Sequence, residues 1–531
     1  MAASQIHPHD PTVLTPGRTR LVLAVVGLAL MAVISAVSGL NVALPSLARE
    51  TGASQSQLTW IVDAYTVVFA GLLLFAGALG DRYGRKLMLV VGLMVFGVAA
   101  GLGMLVSDPA MLIAVRALMG IGAAAVMPTT LSVITTSFPE EERAKAIGVW
   151  VGIAGGGAVL GMFASGLLLE YFSWQSFFGL NVGLAAIAAI GVFAVVPGSA
   201  DENPPALDLP GALLSLVAVG GVVFGIIEGP DRGWDDAATL TSLFAGIVAA
   251  VAFVVWELRT EHPMLDPRLF RVRGFSAGTL TITIQFFAAF GFFFVALQYL
   301  QFVTDRSPIE AALAMLPMPF VLLPIARNVP KVVDRVGFRR LGPVGLLFMA
   351  AGFLVFAQLD LDTPYWIFAG GIVLFAIGMG LAGTPATTAI TGSLPRSKQG
   401  VASAVNDTAR ELGSAFGIAI LGSVLNQGYR DGLVDALVGL PANVAERVQA
   451  SIAFTSSPAI TQFGERGKQL VLAAQQAFVD GVGNALLLAS GVLVVGAIAV
   501  FILAPSRIRA IEADEPATQG ASTPDPESAT T

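Results

Sequence analysis

The sequence predicts an all-α integral membrane protein built from two six-helix bundles, with two extra helices inserted between them. Of its 531 residues, 55% are hydrophobic and only 12% are charged, too few charges for the surface of a soluble protein of this length. Apolar stretches of about 20 residues, long enough to cross a bilayer as helices, recur between Leu21 and Leu503. They lack strand alternation, so we expect helices. A charged turn that occurs twice indicates a duplicated unit.

The apolar stretches define 14 predicted transmembrane helices. Their approximate bounds are 21–45, 58–80, 87–106, 110–136, 146–169, 177–197, 209–228, 238–256, 275–300, 311–330, 341–358, 365–388, 400–426 and 479–504. The predicted domains are a tail (1–20), the N-terminal bundle (21–197), a linker with the two extra helices (198–273), the C-terminal bundle (274–505) with an extracytoplasmic loop (427–478), and a second tail (506–531). The last segment is acidic and rich in Pro, Ser and Thr, which is typical of disorder.

The charged turn follows the second helix of each predicted bundle. Residues 77–86 read GALGDRYGRK, and residues 334–337 read DRVG, with Asp334 offset from Asp81 by 253 positions. The Asp81 carboxylate can accept hydrogen bonds from a helix N-terminus and from arginine. We therefore predict that the turns form a conformational gate between the bundles, the alternative being an ordinary basic loop. The gate residues are Gly77, Asp81, Arg82, Gly84, Arg85, Asp334, Arg335 and Gly337.

The distribution of Lys and Arg orients the chain in the membrane. Most of the 29 basic residues fall on the side of the charged turns and of both tails. The other side carries only Arg49, Arg232, Arg306, Arg430, Arg447, Arg466 and Lys468. Because basic short loops stay in the cytoplasm, we predict a multi-pass protein of the cell inner (plasma) membrane with both termini cytoplasmic.

Several classes of function are disfavoured by composition. The sequence has no cysteine, and its three histidines lie in a tail and a loop, so we expect no metal site and no cofactor. The glycine-rich stretches lack the Gly-Lys-Ser/Thr ending of a phosphate-binding loop. A net charge of −7 gives no sign of nucleic-acid binding. We therefore expect a protein that is not an enzyme.

Ionisable residues inside the predicted spans are the strongest functional signal. Each costs at least about 2.5–3.5 kcal/mol to insert, so we look for a role for Asp63, Asp407, Glu411 and Arg116. Asp407 and Glu411 are four residues apart, hence on one helical face, with Arg410 beside them. Two carboxylates in one low-dielectric cavity resist double ionisation, which suits proton exchange. For each acid, a static ion pair is the alternative; Arg116 would be one partner for Asp63.

Aromatic residues supply a candidate surface for an apolar cation. Phe286, Phe290, Phe293 and Phe294 share one helical face of the predicted ninth span. Such a face can hold lipophilic cations by dispersion and cation–π attraction, although packing or contact with lipid is the commoner use of phenylalanine. The other predicted cavity liners are Trp60, Tyr65 and Trp150.

Four motifs in order carry a resemblance to a known family. They are GALGDRYGRK at 77–86, an arginine followed by spaced glycines (Arg116, Gly120, Gly122), WIVDAY at 60–65 with its acid Asp63, and AVNDTARELG at 404–413 with Asp407 and Glu411. In these the chain resembles the major facilitator superfamily, specifically its fourteen-span drug:proton antiporters, which export quaternary ammonium compounds, dyes and antibiotics. The resemblance implies the major facilitator fold and a role for Arg116 in proton transfer.

The chain departs from the family pattern at two places. The acid usual in the first span is replaced by Ala36, five residues before the intact Asn-Val-Ala-Leu-Pro at 41–45. In the fifth span, Met162 stands where the family's antiporter motif has proline. The first change removes one proton or cation site, and the second leaves the helix less kinked.

The function predicted from these features is proton-coupled multidrug efflux of hydrophobic, cationic compounds by alternating access. The expected partners are a small-molecule substrate, protons and membrane lipid, without nucleic acid, and the expected state is a monomer. Two alternatives stay open. The chain could export an endogenous lipid or secondary metabolite, which the loss of the first-span acid suits. It could also be a membrane sensor or scaffold that no longer transports.

Overall fold

The described part of the chain is built from α-helices. The structure is a computed structural model that describes residues 16–138, 140–198, 206–395 and 398–505, and these ranges contain no strand. The α-helices are α1 (Pro16–Thr51), α2 (Gln55–Tyr83), α3 (Arg85–Gly103), α4 (Pro109–Ser137), α5 (Glu140–Tyr171), α6 (Gln175–Val195), α7 (Leu209–Arg232), α8 (Ala237–Arg259), α9 (Arg273–Phe302), α10 (Pro308–Ala314), α11 (Pro317–Val336), α12 (Phe338–Phe356), α13 (Tyr365–Gly392), α14 (Gln399–Leu433), α15 (Ala442–Ala450), α16 (Pro458–Thr461) and α17 (Glu465–Leu503). The tail predicted at 506–531 and residues 1–15 of the first tail lie outside the described residues, as does 199–205 of the linker.

Each predicted span coincides with one of these helices or, for 311–330, with the consecutive pair α10 and α11. Twelve helical stretches of the described chain are long and apolar enough to cross a membrane. Two further helices, α5 and α14, are outside that count; α5 opens with a charged turn, and α14 carries charged side chains along its length. The protein is therefore an all-helical, multi-pass membrane protein with about twelve apolar helices, and the count of fourteen stays a prediction.

Local sequence signals set the starts of the helices that carry the candidate site. Ser54 and Gln57 form a reciprocal capping box at the start of α2. Asp108 caps α4, where its carboxylate accepts a hydrogen bond of 3.0 Å from the Met111 amide. Both caps lie at the helix ends opposite the charged turns, and they fix where the buried charges of α2 and α4 fall.

The repeated charged turn is also a repeat in backbone geometry. Gly84 has φ of 105° and Gly337 has φ of 82°, in the left-handed region that favours glycine. Each glycine amide bonds back to the preceding helix, Gly84 to Gly80 at 3.1 Å and Gly337 to Val333 at 2.8 Å. The same residue type therefore ends the second helix of each half and starts the next helix.

Glycines bring α9 and α14 into direct backbone contact. A Cβ atom on Gly417 would meet the Phe287 carbonyl, and one on Gly291 would lie 2.8 Å from the Gly417 carbonyl oxygen. Such close approach is the usual way in which helices associate in a bilayer. The α9–α14 contact therefore fixes the helix that carries Asp407 and Glu411.

The two inserted helices pack on the outside of the predicted bundles. α7 contacts both α2 and α14 through a small separate apolar cluster that includes Val67, Val223 and Ala415. α8 packs against α7 and leaves Phe244 72% exposed on its other side. The insert therefore covers a seam between two helices that belong to different halves of the chain.

The loop predicted at 427–478 is largely helical. α14 continues to Leu433 and α17 begins at Glu465, and between them lie the short helices α15 and α16. The Tyr429 hydroxyl donates a 2.8 Å hydrogen bond to the Val448 carbonyl, which ties α15 to the end of α14. The hydropathy prediction ended the span of α14 too early and began the span of α17 too late, because the turns of both helices next to this loop are polar.

We expect Gly417→Ala to lower the thermal unfolding temperature of the detergent-purified protein. The added methyl group forces α9 and α14 apart, and overpacking of this kind costs about 1–3 kcal/mol. Gly491→Ala on α17 is the matched control, since nothing lies within 4 Å of its Cβ position. The control is expected to unfold at the parental temperature or above it, because alanine favours a helix. Equal unfolding temperatures for the two variants would contradict the α9–α14 contact.

Candidate functional site

Asp63 is a wholly buried carboxylate on α2. It lies about eight residues, or about 12 Å, along the axis from the start of the helix at the end opposite the charged turns. The Thr66 hydroxyl donates hydrogen bonds to Asp63 Oδ1 and, at 3.0 Å, to its carbonyl oxygen. Asp63 Oδ2 has no hydrogen-bond partner in the described chain. A carboxylate buried in this way calls for a proton or a cationic ligand.

Arg116 on α4 is buried near Asp63, yet no ion pair between them occurs in the described chain. Its Nε donates to the Ile61 carbonyl at 2.9 Å, and its guanidinium carbon lies 4.3 Å from the centroid of the Tyr65 ring. The Tyr65 hydroxyl in turn donates to the Val33 carbonyl at 3.0 Å. Arg116 is therefore held by a carbonyl and a ring, while its Nη2 stays without a partner among the described residues.

Two further carboxyls lie on α14. Asp407 is 6% exposed and accepts a long hydrogen bond of 3.4 Å from the Asn406 amide. Glu411 is partly exposed and has no hydrogen bond or ion pair within the described ranges. Arg410 lies between them in sequence, but its guanidinium carbon is 5.2 Å from the centroid of the Phe286 ring. Arg410 therefore forms no ion pair with either acid.

The register between α2 and α14 sets the relative depth of the three acids. Asn426 donates to the Ser56 hydroxyl at 3.0 Å, which aligns the two antiparallel helices near one end. Counting 1.5 Å per residue from this contact places Glu411 about 12 Å further than Asp63 toward the charged turns. On the same count, Tyr65, which follows Asp63 by two residues on α2, lies between the levels of Asp63 and Glu411. We call Asp63, Glu411 and Asp407 the carboxyl ladder.

The predicted phenylalanine face divides into two parts. Phe286 and Phe290 stack with ring centroids 5.8 Å apart, and both are partly exposed, as is Phe293. Phe294 is wholly buried against α14, where a Cβ on Gly422 would lie 3.0 Å from its ring. Three of the four rings are thus partly exposed, and Phe286 also touches the helix of the α14 acids through Arg410.

The two tryptophans predicted to line a cavity each hold a hydrogen bond to the protein. Trp150 is 5% exposed, and its Nε1 donates to the Thr130 hydroxyl at 3.1 Å. Trp60 is partly buried and donates to Glu228 Oε1 on α7 at 2.9 Å. Trp150 therefore joins α5 to α4, and Trp60 joins α2 to the inserted pair.

The charged turns make their ion pair within one half of the chain. Asp81 Oδ1 lies 3.0 Å from Arg85 Nη2 in its own turn. Arg82, Asp334 and Arg335 are exposed. Gly77 faces Pro128 of α4 at an ordinary distance of 3.6 Å from its Cβ position. The expected bond from Asp81 to a neighbouring helix start is replaced in this conformation by the pair with Arg85.

At the opposite end the two halves of the chain are joined by hydrogen bonds. Arg49 Nη2 donates to the Gln301 carbonyl at 3.0 Å, and Gln301 Nε2 donates to the Val42 carbonyl at 3.0 Å. The Asn426–Ser56 bond lies at the same end. The protein is therefore closed at the end away from the charged turns.

α7 adds a polar connection across this closed end. Asp231 Oδ1 accepts from Arg430 Nη1 at 2.9 Å and from Asn426 Nδ2 at 3.1 Å, both on α14. Glu228 accepts from Trp60 of α2, as described above, and pairs with Arg232 at 2.6 Å. The side chains that form this α7 clasp are Trp60, Glu228, Asp231, Asn426 and Arg430. Sequence reasoning missed it, because acids at a helix end read as ordinary interfacial residues.

Comparison with known proteins identifies the family. Residues 26–418 match the family model described as Major Facilitator Superfamily. The chain belongs to this superfamily. It is 32% identical over 488 residues to the multidrug resistance protein Stp of Mycobacterium tuberculosis (strain CDC 1551 / Oshkosh), covering 90% of this chain and 91% of Stp. It is also 32% identical to the methyl viologen resistance protein SmvA of Salmonella typhimurium (strain 14028s / SGSC 2262), covering 93% of this chain and all of SmvA.

The same fold is found in a solved superfamily structure. A bacterial homolog of the human lysosomal transporter Spinster, in an inward-facing and unoccupied conformation, superposes with a TM-score of 0.65 at 16% identity, over 92% of this chain and 98% of that one. The family model and the sequence relatives confirm the resemblance seen in the sequence to multidrug exporters of this superfamily. As a member of this superfamily, the protein described here is a transporter and not an enzyme.

The two departures from the superfamily pattern lie where α1 packs against α5. Ala36 is wholly buried, and a Cβ on the neighbouring Gly161 would lie 2.7 Å from Ser35. Met162 is 5% exposed. Gly148 and Gly152, nearer the start of α5, meet nothing within 4 Å of their Cβ positions. The α1–α5 contact is therefore tight in the outer part of α5 and open in its first turns.

We expect loss of the α7 clasp to favour opening at the end away from the charged turns. Thr59 is a suitable reporter, because it is 1% exposed at the α2–α14 seam and the chain has no cysteine of its own. In Thr59→Cys, the clasp change Asp231→Asn with Arg430→Gln is expected to raise labelling by a polar maleimide about fivefold, since a partly exposed ion pair contributes about 1 kcal/mol.

The control for this experiment is Lys468→Gln, which removes an exposed ion pair with Glu465 far from the seam. It is expected to leave labelling of Thr59→Cys unchanged. If the clasp variant and the control label at the parental rate, α7 does not hold this end closed.

Proposed function

We propose that this protein is a proton-coupled multidrug antiporter that exports hydrophobic, cationic compounds by alternating access. The observation that carries the proposal is the carboxyl ladder. Within the described chain, none of its three acids is in an ion pair, although Asp63 and Asp407 are buried. Buried acids without a fixed counter-ion suit a site that exchanges a proton for a cation.

The proposed cycle couples cargo to the protonation of the ladder. In this conformation the end away from the charged turns is closed. Glu411, the partly exposed acid of the ladder, receives cargo and exchanges protons from the side of the charged turns. A bound cation is stabilised by the ionised acids and by the accessible faces of Phe286 and Phe290. After the halves rock about the site, protonation from the other side releases the cargo. Each net positive charge that the cycle carries inward gains about 2.3 kcal/mol per 100 mV of membrane potential, and a pH gradient drives the exchange even when no net charge moves.

The relatives support the class of cargo. Stp is named for multidrug resistance, and SmvA is named for resistance to methyl viologen, a dication. Stacked aromatic rings beside carboxyls fit flat organic cations of that kind. A hydrophobic site of this type discriminates weakly between shapes, which accords with a broad cargo range.

The proposal includes the topology predicted from the sequence. We infer fourteen transmembrane helices arranged as six, two and six, with the domain bounds given above. The charged turns and both termini then face the cytoplasm, and the closed end faces outward from the cell inner membrane. We propose that the protein acts as a monomer surrounded by lipid. The basic side chains at the charged turns favour this orientation.

One observation favours a different cargo. Ala36 replaces the first-span acid and is wholly buried, so α1 contributes no carboxylate at that level. A neutral endogenous lipid or secondary metabolite would need fewer acids. A protein that had become a sensor or scaffold has no need of the three acids, and their retention argues against that function.

We expect Asp63→Asn, Asp407→Asn and Glu411→Gln each to reduce ethidium efflux in everted vesicles that are energised by an imposed pH gradient. Each change removes an exchangeable proton but preserves shape. We expect a reduction of about tenfold or more in the initial rate, equivalent to about 1.4 kcal/mol in the barrier. Glu465→Gln, which changes an acid that is 81% exposed, is expected to transport at the parental rate.

A neutral antibiotic assayed in parallel separates the alternatives. Loss of ethidium efflux with smaller loss for the neutral compound supports cation pairing at the ladder. Parental ethidium rates in all three variants would remove the ladder from the mechanism. Efflux of only the neutral compound by the parent would favour the endogenous-metabolite function.

A further inference from the structure

The two inserted helices, α7 and α8, form an antiparallel hairpin. This inserted hairpin carries a pair of carboxyl groups away from the carboxyl ladder. Asp208 directly precedes α7, and Glu257 lies in the last turn of α8. Since α7 and α8 run in opposite directions, both acids fall at the end where the charged turns lie. Asp208 is 6% exposed and Glu257 is fully buried.

One oxygen of each carboxyl is satisfied by N–H donors. Asp208 Oδ1 accepts from the Gly211 amide at 2.9 Å and from Trp256 Nε1 at 2.8 Å. Glu257 Oε2 accepts from the Leu265 amide at 3.3 Å, in the segment that leads to α9. The pair therefore connects the start of α7, the end of α8 and the chain that follows.

The other oxygen of each carboxyl has no donor, and the two bare oxygens face the same space. Asp208 Oδ2 and Glu257 Oε1 lack a hydrogen-bond partner in the described residues. They lie 2.5 Å and 2.9 Å from the position that a Cβ on Gly211 would occupy. Because both oxygens lie so near one point, they are no more than about 5.4 Å apart, and a hydrogen bond between the two carboxyls requires a hydrogen on one of them.

The surrounding charges do not neutralise the pair. Arg268, on a 3₁₀ segment packed against α8, donates to the Leu258 carbonyl at 2.9 Å and lies 3.9 Å from Asp266. Asp81 pairs with Arg85 of α3, and Arg410 lies over Phe286. On α2 and α14, which pack against α7, the ionisable groups toward this end are Asp81, Arg82, Tyr83, Asp407, Arg410 and Glu411. Arg259, Glu261 and His262 follow Glu257 along the chain and are exposed.

We infer that Asp208 and Glu257 share one proton, which makes the hairpin a proton-binding site separate from the carboxyl ladder. Two facing carboxylates without a cation cannot both ionise at low cost, and one proton between them gives a strong O–H···O⁻ bond. Two bare oxygens are too few to coordinate a metal ion in place of the proton. Loss of the proton sets two like charges against each other and separates α7 from α8. This inference does not depend on the proposed function.

The sign of the pH effect follows from linkage. The folded protein holds a proton that the two exposed acids of the unfolded chain have lost at neutral pH. Because the folded state binds more protons, its stability falls as the pH rises. We therefore expect the unfolding temperature of the full-length protein in detergent to fall by about 2 °C or more from about pH 6 to about pH 9 through this pair.

Glu257→Gln and Asp208→Asn test the inference, because an amide of the same shape donates permanently the hydrogen that the shared proton supplies. Both variants are expected to fold and to lose this part of the pH dependence, so that their unfolding temperatures change less between the two pH values. Glu465→Gln, an exposed acid, is expected to keep the parental slope. Infrared spectra near neutral pH are expected to lose a protonated carboxyl band in each hairpin variant.

Three results would overturn the inference. The first is a parental pH slope in both hairpin variants. The second is an infrared spectrum whose protonated carboxyl band is unchanged in both. The third is a rise in the unfolding temperature of the parent, but not of Glu257→Gln, when NaCl or MgCl₂ is added at fixed pH. Such a rise would identify a cation site in place of the proton.

Discussion

The organisation of this protein depends on the burial of carboxyl groups without fixed counter-ions in an apolar helix bundle. Asp63 and Asp407 are buried, and Glu411 is partly exposed between them along the membrane normal. Arg116 is held by a carbonyl and the Tyr65 ring. Arg410 interacts electrostatically with Asp407 and Glu411 but lies over Phe286 and forms no ion pair with either acid. The cost of such burial is recovered only if a proton or a cation occupies the site for part of each cycle.

The closed end determines what the rest of the molecule can do with that site. The halves of the chain meet through α1–α9 and α2–α14, and α7 covers the second seam with both an apolar cluster and the polar clasp. The inserted hairpin is thus a physical link between the two halves. At the closed end of the hairpin, Asp231 of α7 binds Arg430 and Asn426 of α14. At its other end, Asp208 and Glu257 connect α7 to α8. Protonation of the Asp208–Glu257 pair and opening of the closed end can therefore both act on α7.

The fold was largely predictable from the sequence, and the site only in part. Lipid forces every spanning segment to satisfy its own backbone, so hydropathy located a helix at each predicted span. It missed the polar turns that extend α14 and α17 and the short helices α15 and α16 between them. Buried acids such as Asp63 stand out for the same reason. The partners of these residues could not be predicted, since Asp231 and Arg430 are 199 residues apart and pair only once α7 is folded onto α14. The hydrogen bond from Trp150 of α5 to Thr130 of α4 could not be predicted either, because the sequence does not show which side chains of two helices meet.

The most direct test of the account is whether cation binding displaces protons from the ladder. Calorimetry of ethidium binding to the purified protein, in buffers that differ in ionisation enthalpy, reports the protons released at a fixed pH. The account predicts net proton release by the parent and markedly less by the combined Asp63→Asn, Asp407→Asn and Glu411→Gln variant. Tight ethidium binding without proton release in the parent would contradict it.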